Sequence, residues 1–534
     1  MENKNFLIAF LVFFIALLMY NQFYAMPKAK KAAAAQTVAA QTAPQQNTQQ
    51  ETAVSRPSET SAQNPKTQEQ ETLIPFKTKT ADIVFTSKGA GIKTYVFKDI
   101  VKDVDLTPYA GESFYGTFTG VNFKETGRTD NSISFFAKSG NLEITKNYVF
   151  NDSGINNLTL SLKNTGKEAV TAEQFYFNFG PGLGTVESEK GDNGREMKAV
   201  YTKQEEGYKF LTLVNRGKEK PEDTVKDGGW VWAGLTNRYF LTVIIPKNWK
   251  SGILEYGKTV VDKVPSFFGL FGSTKVEGPV LKIDVPAVSL DAGAKITYES
   301  DFYFGPKDYK TFEKMPYQLD RSIDFGFFGA LGKLIRWVLE RLYKVTGNYG
   351  FAIILFAFLF QAVMIKLTIM QQKSSLVMKK LQPQMKEIQE RYKDDKTAQQ
   401  QAMMELYKKH NFNPFTGCLP LLIQLPIMIA LFNAFRTSWD LHGAKFILWI
   451  TDLSAKDPYY VLPIIMGAVM LYQQRLTMPV GGDPAQTAML KWMPVIFTFV
   501  FINFPAGLVL YWLTNSILSL IIQIVITKRM ATAS

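Results

Sequence analysis

Residues 348–368 read NYGFAIILFAFLFQAVMIKLT, an apolar run long enough to cross a bilayer that nonetheless holds Gln361 within it and Lys366 near its end. An amide among hydrocarbon chains is costly unless it finds a partner or water, so Gln361 is expected to face a bundle interior or a hydrated cavity rather than lipid. The plainer alternative is an interhelical hydrogen bond that serves packing alone. At about 100° per residue, Thr368 and Gln372 fall within about 20° of Gln361 and make one polar stripe with it. Lys366 lies about 140° away, where it is expected to reach the membrane surface as an anchor.

Downstream, the chain stays charged and helix-forming as far as residue 416. Leu381, Met385, Ile388 and Tyr392 mark one amphipathic face and Met403, Leu406, Tyr407 and His410 another, so a helical hairpin is expected. Thr397 and Gln400 read as a capping box for its second helix and Asn413-Pro414 as its stop. Ten Lys or Arg against five acids between Lys366 and Lys409 place this hairpin in the cytosol. Three further apolar stretches follow: Cys418 to Phe435, Tyr459 to Tyr472, and a double-length run over 489–527 broken at Pro505-Ala506-Gly507. They carry Gln424 and Asn433, then Asn503, then Asn515, Ser519 and Gln523, a recurrence that favours a shared hydrated groove over isolated helix–helix contacts. The run from Tyr459 is short for a hydrocarbon core of about 30 Å, so flanking residues extend it or the bilayer thins there.

Upstream, Phe6 to Met19 is hydrocarbon behind Lys4, and Phe23 stands where a signal-peptide cut would want a small side chain, so a retained spanning helix is expected. Residues 27–72 are Ala, Gln, Thr, Ser and Pro with few large apolar side chains, the composition of a tether. From 73 to about 320 the pattern becomes short alternating segments, Ile83 to Thr86, Ile92 to Phe97, Ser132 to Ala137, Leu142 to Phe150 and Leu158 to Leu162, separated by turn signals. Phe325 to Val345 returns to a helical period, with Leu331, Leu334, Ile335, Val338, Leu339 and Leu342 on one face and Trp337 beside them. It reads as an interfacial helix, or as one packed on the sandwich.

The expected architecture is a polytopic α-helical membrane protein with six transmembrane helices and a large periplasmic antiparallel β-sandwich, both termini cytosolic. Its parts are a first spanning helix over 1–25, a linker over 26–72, the sandwich over 73–322, the interfacial helix over 323–345 and a second span over 346–368. The cytosolic hairpin (369–416), third span (417–436), periplasmic loop (437–457) and fourth span (458–474) come next. A cytosolic loop (475–488), fifth span (489–504), sixth span (506–527) and tail (528–534) complete the chain.

A net charge of +13 with basic loops beside apolar runs needs no polyanion beyond anionic lipid, and direct DNA binding is not expected. Cys418 is the single cysteine and His410 and His442 are the two histidines, which excludes an intrachain disulfide and argues against a Cys/His metal site. No metal and no cofactor are expected. Twelve of the eighteen methionines fall between Met364 and Met493, adaptable apolar surface suited to varied partners or to core filling.

These features, with GCLPLLIQLPI at 417–427, DLSAKDPYY at 452–460, MPVIF at 493–497 and FPAGLVLYW at 504–512, resemble the YidC/Oxa/Alb family of Gram-negative type. The resemblance is dense over 346–527 and rests on position and sheet pattern over 73–320. It implies an insertase without nucleotide hydrolysis that takes nascent inner-membrane proteins into a groove open to cytosol and lipid, alone or with the Sec translocon. The ribosome and the signal recognition particle receptor are further implied partners, and the sandwich, a supersandwich in this family, would resemble sugar mutarotases without their catalysis. The groove residues expected are Gln361, Lys366, Gln424, Asn433, Asn503, Tyr511, Trp512 and Asn515; the hairpin residues expected to contact substrate or ribosome are Leu381, Met385, Ile388, Tyr392, Met403 and Tyr407. One departure stands out: the family usually places an arginine where this chain has Gln361, a neutral amide that cannot attract acidic segments by charge. Lys366 or Arg436 could compensate. The rival readings are a solute or ion transporter, against which no internal repeat is visible, and a tethered sugar enzyme, against which no histidine occurs over 73–320.

Overall fold

The computed structural model describes residues 70–532 apart from 110–111, 204–210, 216–228, 251–253, 266–272, 394, 411–414 and 478–483. The expected first span and tether, the Asn413-Pro414 stop and part of the loop after the fourth span lie outside the described residues.

Alternation of apolar and polar residues builds the first half. In Asn156–Asn164, Leu158, Leu160 and Leu162 point inward while Thr159, Ser161 and Lys163 point out, the two-residue period of a half-buried strand. This strand lies in a nine-stranded sheet whose order is Thr212–Asn215, Lys198–Lys203, Trp230–Thr236, Phe240–Pro246, Lys295–Pro306, Asn156–Asn164, Leu142–Val149, Ser132–Ser139 and Lys124–Arg128. All its pairings are antiparallel, as in Leu142↔Asn164. A four-stranded sheet (Leu73–Lys77, Ala81–Thr86, Ile92–Phe97, Val104–Asp105) and a three-stranded one (Phe175–Phe179, Ser273–Val285, Leu254–Pro265) contribute to the same core. Phe85 of the four-stranded sheet meets Phe135 and Tyr148 of the large one at ring-centroid distances of 5.2 and 4.9 Å.

The second half is helical: α1 (Gly329–Thr346), α2 (Tyr349–Arg391), α3 (Lys396–Lys409), α4 (Phe415–Arg436), α5 (Val461–Thr477), α6 (Pro484–Phe501) and α7 (Ala506–Thr532). α1 ends because Gly347 takes the left-handed conformation (φ 66°), its N–H bonding the Tyr343 carbonyl at 2.8 Å. Asn348 then starts α2, its Oδ1 accepting from the N–H of Gly350 at 2.8 Å. The second span and the hairpin's first arm are one continuous helix, so 368/369 is not an element boundary. α3 is capped by Asp395, whose side chain accepts from Thr397 N and Ala398 N at 3.0 Å, rather than by Thr397: a side-chain acceptor two residues earlier satisfies the first free N–H groups.

α2 and residues Ala506–Arg529 are each long and apolar enough to cross a membrane; Val461–Leu476 and Lys491–Phe501 are shorter apolar helices. At 1.5 Å per residue α5 is about 25 Å long, extended beyond the apolar run by five residues after Tyr472. Backbone contacts form two units, one containing residues 377–414 and the other 70–376, 415–478 and 483–534.

Candidate functional site

Polar side chains turn inward on four of the apolar helices. Gln361, Thr368 and Gln372 of α2 are 6%, 9% and 4% exposed, and Gln361 Nε2 donates to Thr368 Oγ1 at 3.3 Å, so the stripe faces protein. Their neighbour Phe360 packs on Tyr511 of α7 with a centroid distance of 6.3 Å. The Tyr511 hydroxyl accepts from Gln424 Nε2 of α4 at 3.4 Å. One turn below Tyr511 comes Asn515, then Ser519, whose Oγ accepts from Gln473 Nε2 of α5 at 3.3 Å. Asn515 Oδ1 and the buried Gln523 Oε1 have no hydrogen-bond partner among the described residues. The opposite face of α2 is apolar and exposed at Val363 (74%), and α6 exposes Ile496 and Phe499 (54% and 68%).

Other expected groove residues lie elsewhere. Lys366 is exposed beside Val363 and Ile365, as its angular offset requires. Asn503 is exposed in the turn after α6, because the helix stops at Phe501, ahead of the Phe504-Pro505 step that disfavours helical backbone. Asn433 sits near the sandwich-side end of α4 against Gly326, which leaves no room for a Cβ. Trp512, about 100° from Tyr511, packs on Phe501 of α6 at 5.1 Å. The hairpin residues Leu381, Met385, Ile388, Met403 and Tyr407 form the seam between its own two arms with Leu406, since two amphipathic stripes on adjacent helices bury each other first. Tyr392 falls at the bend, its N–H on the Ile388 carbonyl. Gln473 and Ser516, which is 7% exposed, were not expected; the Tyr472-Gln473-Gln474 end of the fourth run was the available signal.

Two motifs quoted above meet at the sandwich-side end of α7. Its first N–H groups, on Ala506 and Gly507, bond the carbonyls of Ala455 and Leu453 at 2.7 and 2.9 Å, so DLSAKDPYY caps the helix opened by FPAGLVLYW. Asp457 in turn accepts from Trp449 Nε1, Tyr459 N and Leu462 N, fixing the start of α5.

The sandwich grips this end through a charged collar. Arg238 is buried, paired with Glu189, and donates to the Arg436 carbonyl at 2.6 Å and the Ser454 carbonyl at 3.4 Å. Arg436 pairs with Glu196 at 2.5 Å. His442 Nε2 lies 3.0 Å from Asp99 of the sandwich, and its Nδ1 lies 3.5 Å from Asp452, near enough for charge attraction though long for a hydrogen bond. Burial opposes charge on His442, but Asp452 and Asp99 outweigh it and push its pKa up to about 9. Burial likewise opposes ionisation of both carboxyls, and the histidine lowers them below the usual range. Among the described residues, no cluster of His, Cys, Asp and Glu could hold a metal ion.

Comparison with known proteins gives two family models along the chain: the 60Kd inner membrane protein model matches residues 341–533 and the YidC periplasmic domain model residues 116–338. A curated membrane protein insertase YidC of Endomicrobium trichonymphae is 36% identical over 467 residues, 85% of each chain. One of Geobacter sp. strain M21 is 33% identical over 474 residues, 83% of each. A solved active YidC insertase with its first transmembrane domain resolved is 20% identical, covers 85% of this chain and 92% of that one, and has a TM-score of 0.37.

Proposed function

The chain belongs to the YidC family of membrane protein insertases, and we propose from that premise that it works by hydrating a groove among its helices. It is an inner-membrane insertase with a periplasmic β-rich domain. The observation that carries the groove is the inward polar set from α2, α4, α5 and α7, with two side-chain oxygens that no described protein group satisfies. Such acceptors are satisfied by water, and water beside α2 would let the polar flank of a client enter at less than the full cost of dehydration. The client's apolar segment would then pass into lipid. α5, about 25 Å long against a core of about 30 Å, would thin the bilayer and shorten the crossing.

In this reading the chain crosses the membrane six times with both termini in the cytosol, and the Sec translocon, the ribosome and the signal recognition particle receptor are its partners. The hairpin meets them through its outer face, where Lys379, Lys380 and Lys386 are exposed, because its apolar stripe is used internally. Gln361 makes the groove neutral, so a client is accepted by solvation of its flank rather than by attraction to a fixed charge.

A photo-crosslinker at position 361, tested against a stalled nascent chain bearing one spanning segment, checks this. Adducts should form from 361 and be weaker from the exposed position 363. Adducts from 363 alone would refute the groove.

A further inference from the structure

We propose that the sandwich loop Asp99–Lys102 rests in the outer leaflet, with Ile100 and Val101 in contact with lipid. Ile100 is 103% exposed and Val101 57%, adjacent aliphatic side chains at a loop tip of a domain whose other large aliphatics are mostly inside. The tip is held in place: Asp99 is bound to His442, and the Val101 methyl closes on Gly443 (φ 63°) so tightly that a Cβ there would collide with it.

The segment that receives the tip is itself tied to the end of α2. Asn348 Nδ2 donates to the carbonyls of Lys445 and Phe446 at 3.1 and 3.4 Å, and the Phe446 ring packs against Gly350 and Phe351. Directly after Phe446, Ile447 and Leu448 are 47% and 81% exposed, and Leu448 holds φ 52°, a conformation that side-chain-bearing residues rarely adopt. On α2 itself the next outward residues are Phe351 and Leu355, also exposed and apolar. The exposed apolar residues of α2, Ile447 and Leu448, and the loop that holds Ile100 and Val101 are therefore all tied to one segment, residues 442–448. Exposed hydrocarbon on either side of such a segment marks a contact surface, and its tie to the end of a spanning helix selects lipid as the occupant. Lys98, paired with Asp82 and Asp103, keeps the stem of the loop polar.

This inference rests on the reading above that α2 spans the membrane with Asn348 at the periplasmic side. The test uses the full chain in proteoliposomes, with Cys418→Ala and one added cysteine carrying a polarity-sensitive fluorophore: Ile100→Cys, Leu448→Cys, or Asp152→Cys on the exposed sandwich surface. Lipids spin-labelled near the headgroup should quench the labels at 100 and 448 and shift their emission to the blue, while iodide quenches only the label at 152. Iodide quenching at 100 with lipid quenching at 448 overturns this inference alone. Iodide quenching at both overturns the membrane placement beneath it. Protection at 100 from both quenchers means a protein covers the tip, and overturns the lipid assignment.

Discussion

Both halves of the molecule bury polar side chains, and the surroundings of those side chains differ. In the sandwich, Lys146 is fully buried, yet its Nζ reaches the Gly89 and Tyr115 carbonyls at 3.0 and 2.5 Å and Thr117 Oγ1 at 3.2 Å. Burial pushes its pKa well below the usual lysine range. Among the helices, Asn515 and Gln523 present oxygens that no described protein group meets. A satisfied buried group specifies packing; an unsatisfied one in a membrane bundle asks for water. The sandwich too has buried oxygens without a described partner, at Thr185, Asn193 and Thr202, so it is their place in a membrane bundle that marks the helices as the working part, joined to the sandwich at the collar of Arg238 and His442.

The largest effect should come from breaking that collar. Arg238→Ala removes the buried ion pair with Glu189 and the bonds to the Arg436 and Ser454 carbonyls, so thermal unfolding in detergent should show a loss of about 3–5 kcal/mol; a loss within the range of exposed pairs would mean the two halves are not coupled there. The same joint should depend on pH. His442 has a folded pKa of about 9, above its ordinary 6.5, so its stabilisation is fully present below about pH 6.5 and is lost as pH rises through 9. The upper bound is about 3 kcal/mol. His442→Gln should flatten the stability profile in that window, and an unchanged slope would assign it to other groups.

Close approaches separate the halves more finely. A Cβ at Gly234 in the sandwich would strike the backbone carbonyl of Thr242, which cannot move, whereas one at Gly467 of α5 would strike the Thr498 side chain, which can rotate. Gly234→Ala should cost about 1–3 kcal/mol and Gly467→Ala less, both measured by chemical denaturation; the reverse order would make the helices the more tightly packed region. The smallest change is Gln361→Leu. It should leave stability nearly unchanged and slow insertion of clients with charged external tails by roughly 5- to 30-fold, the equivalent of about 1–2 kcal/mol of lost solvation.

What could be read along the chain was whatever has a period. Ile92 to Phe97 is a strand with those same ends, and the Gln361, Thr368 and Gln372 stripe is buried together, because alternation and the helical repeat are local properties. What could not be read was which neighbour each face meets. Asn433 and Trp512 share apolar runs with true stripe residues but point to Gly326 and α6. The hairpin's apolar residues looked like a docking face and are its internal seam. His442 and Asp99 are 343 residues apart, a distance over which no spacing rule operates, so the collar became visible only when the sandwich and helices were seen together.

Water within the bundle is the premise on which the insertion mechanism stands. A membrane-impermeant maleimide, applied from the cytosolic side to inverted vesicles carrying Cys418→Ala with Asn515→Cys, probes it. The label should react at a rate well above that of Val509→Cys, a fully buried position on the same helix. Equal, negligible reaction at both positions would show a dry bundle and contradict the mechanism.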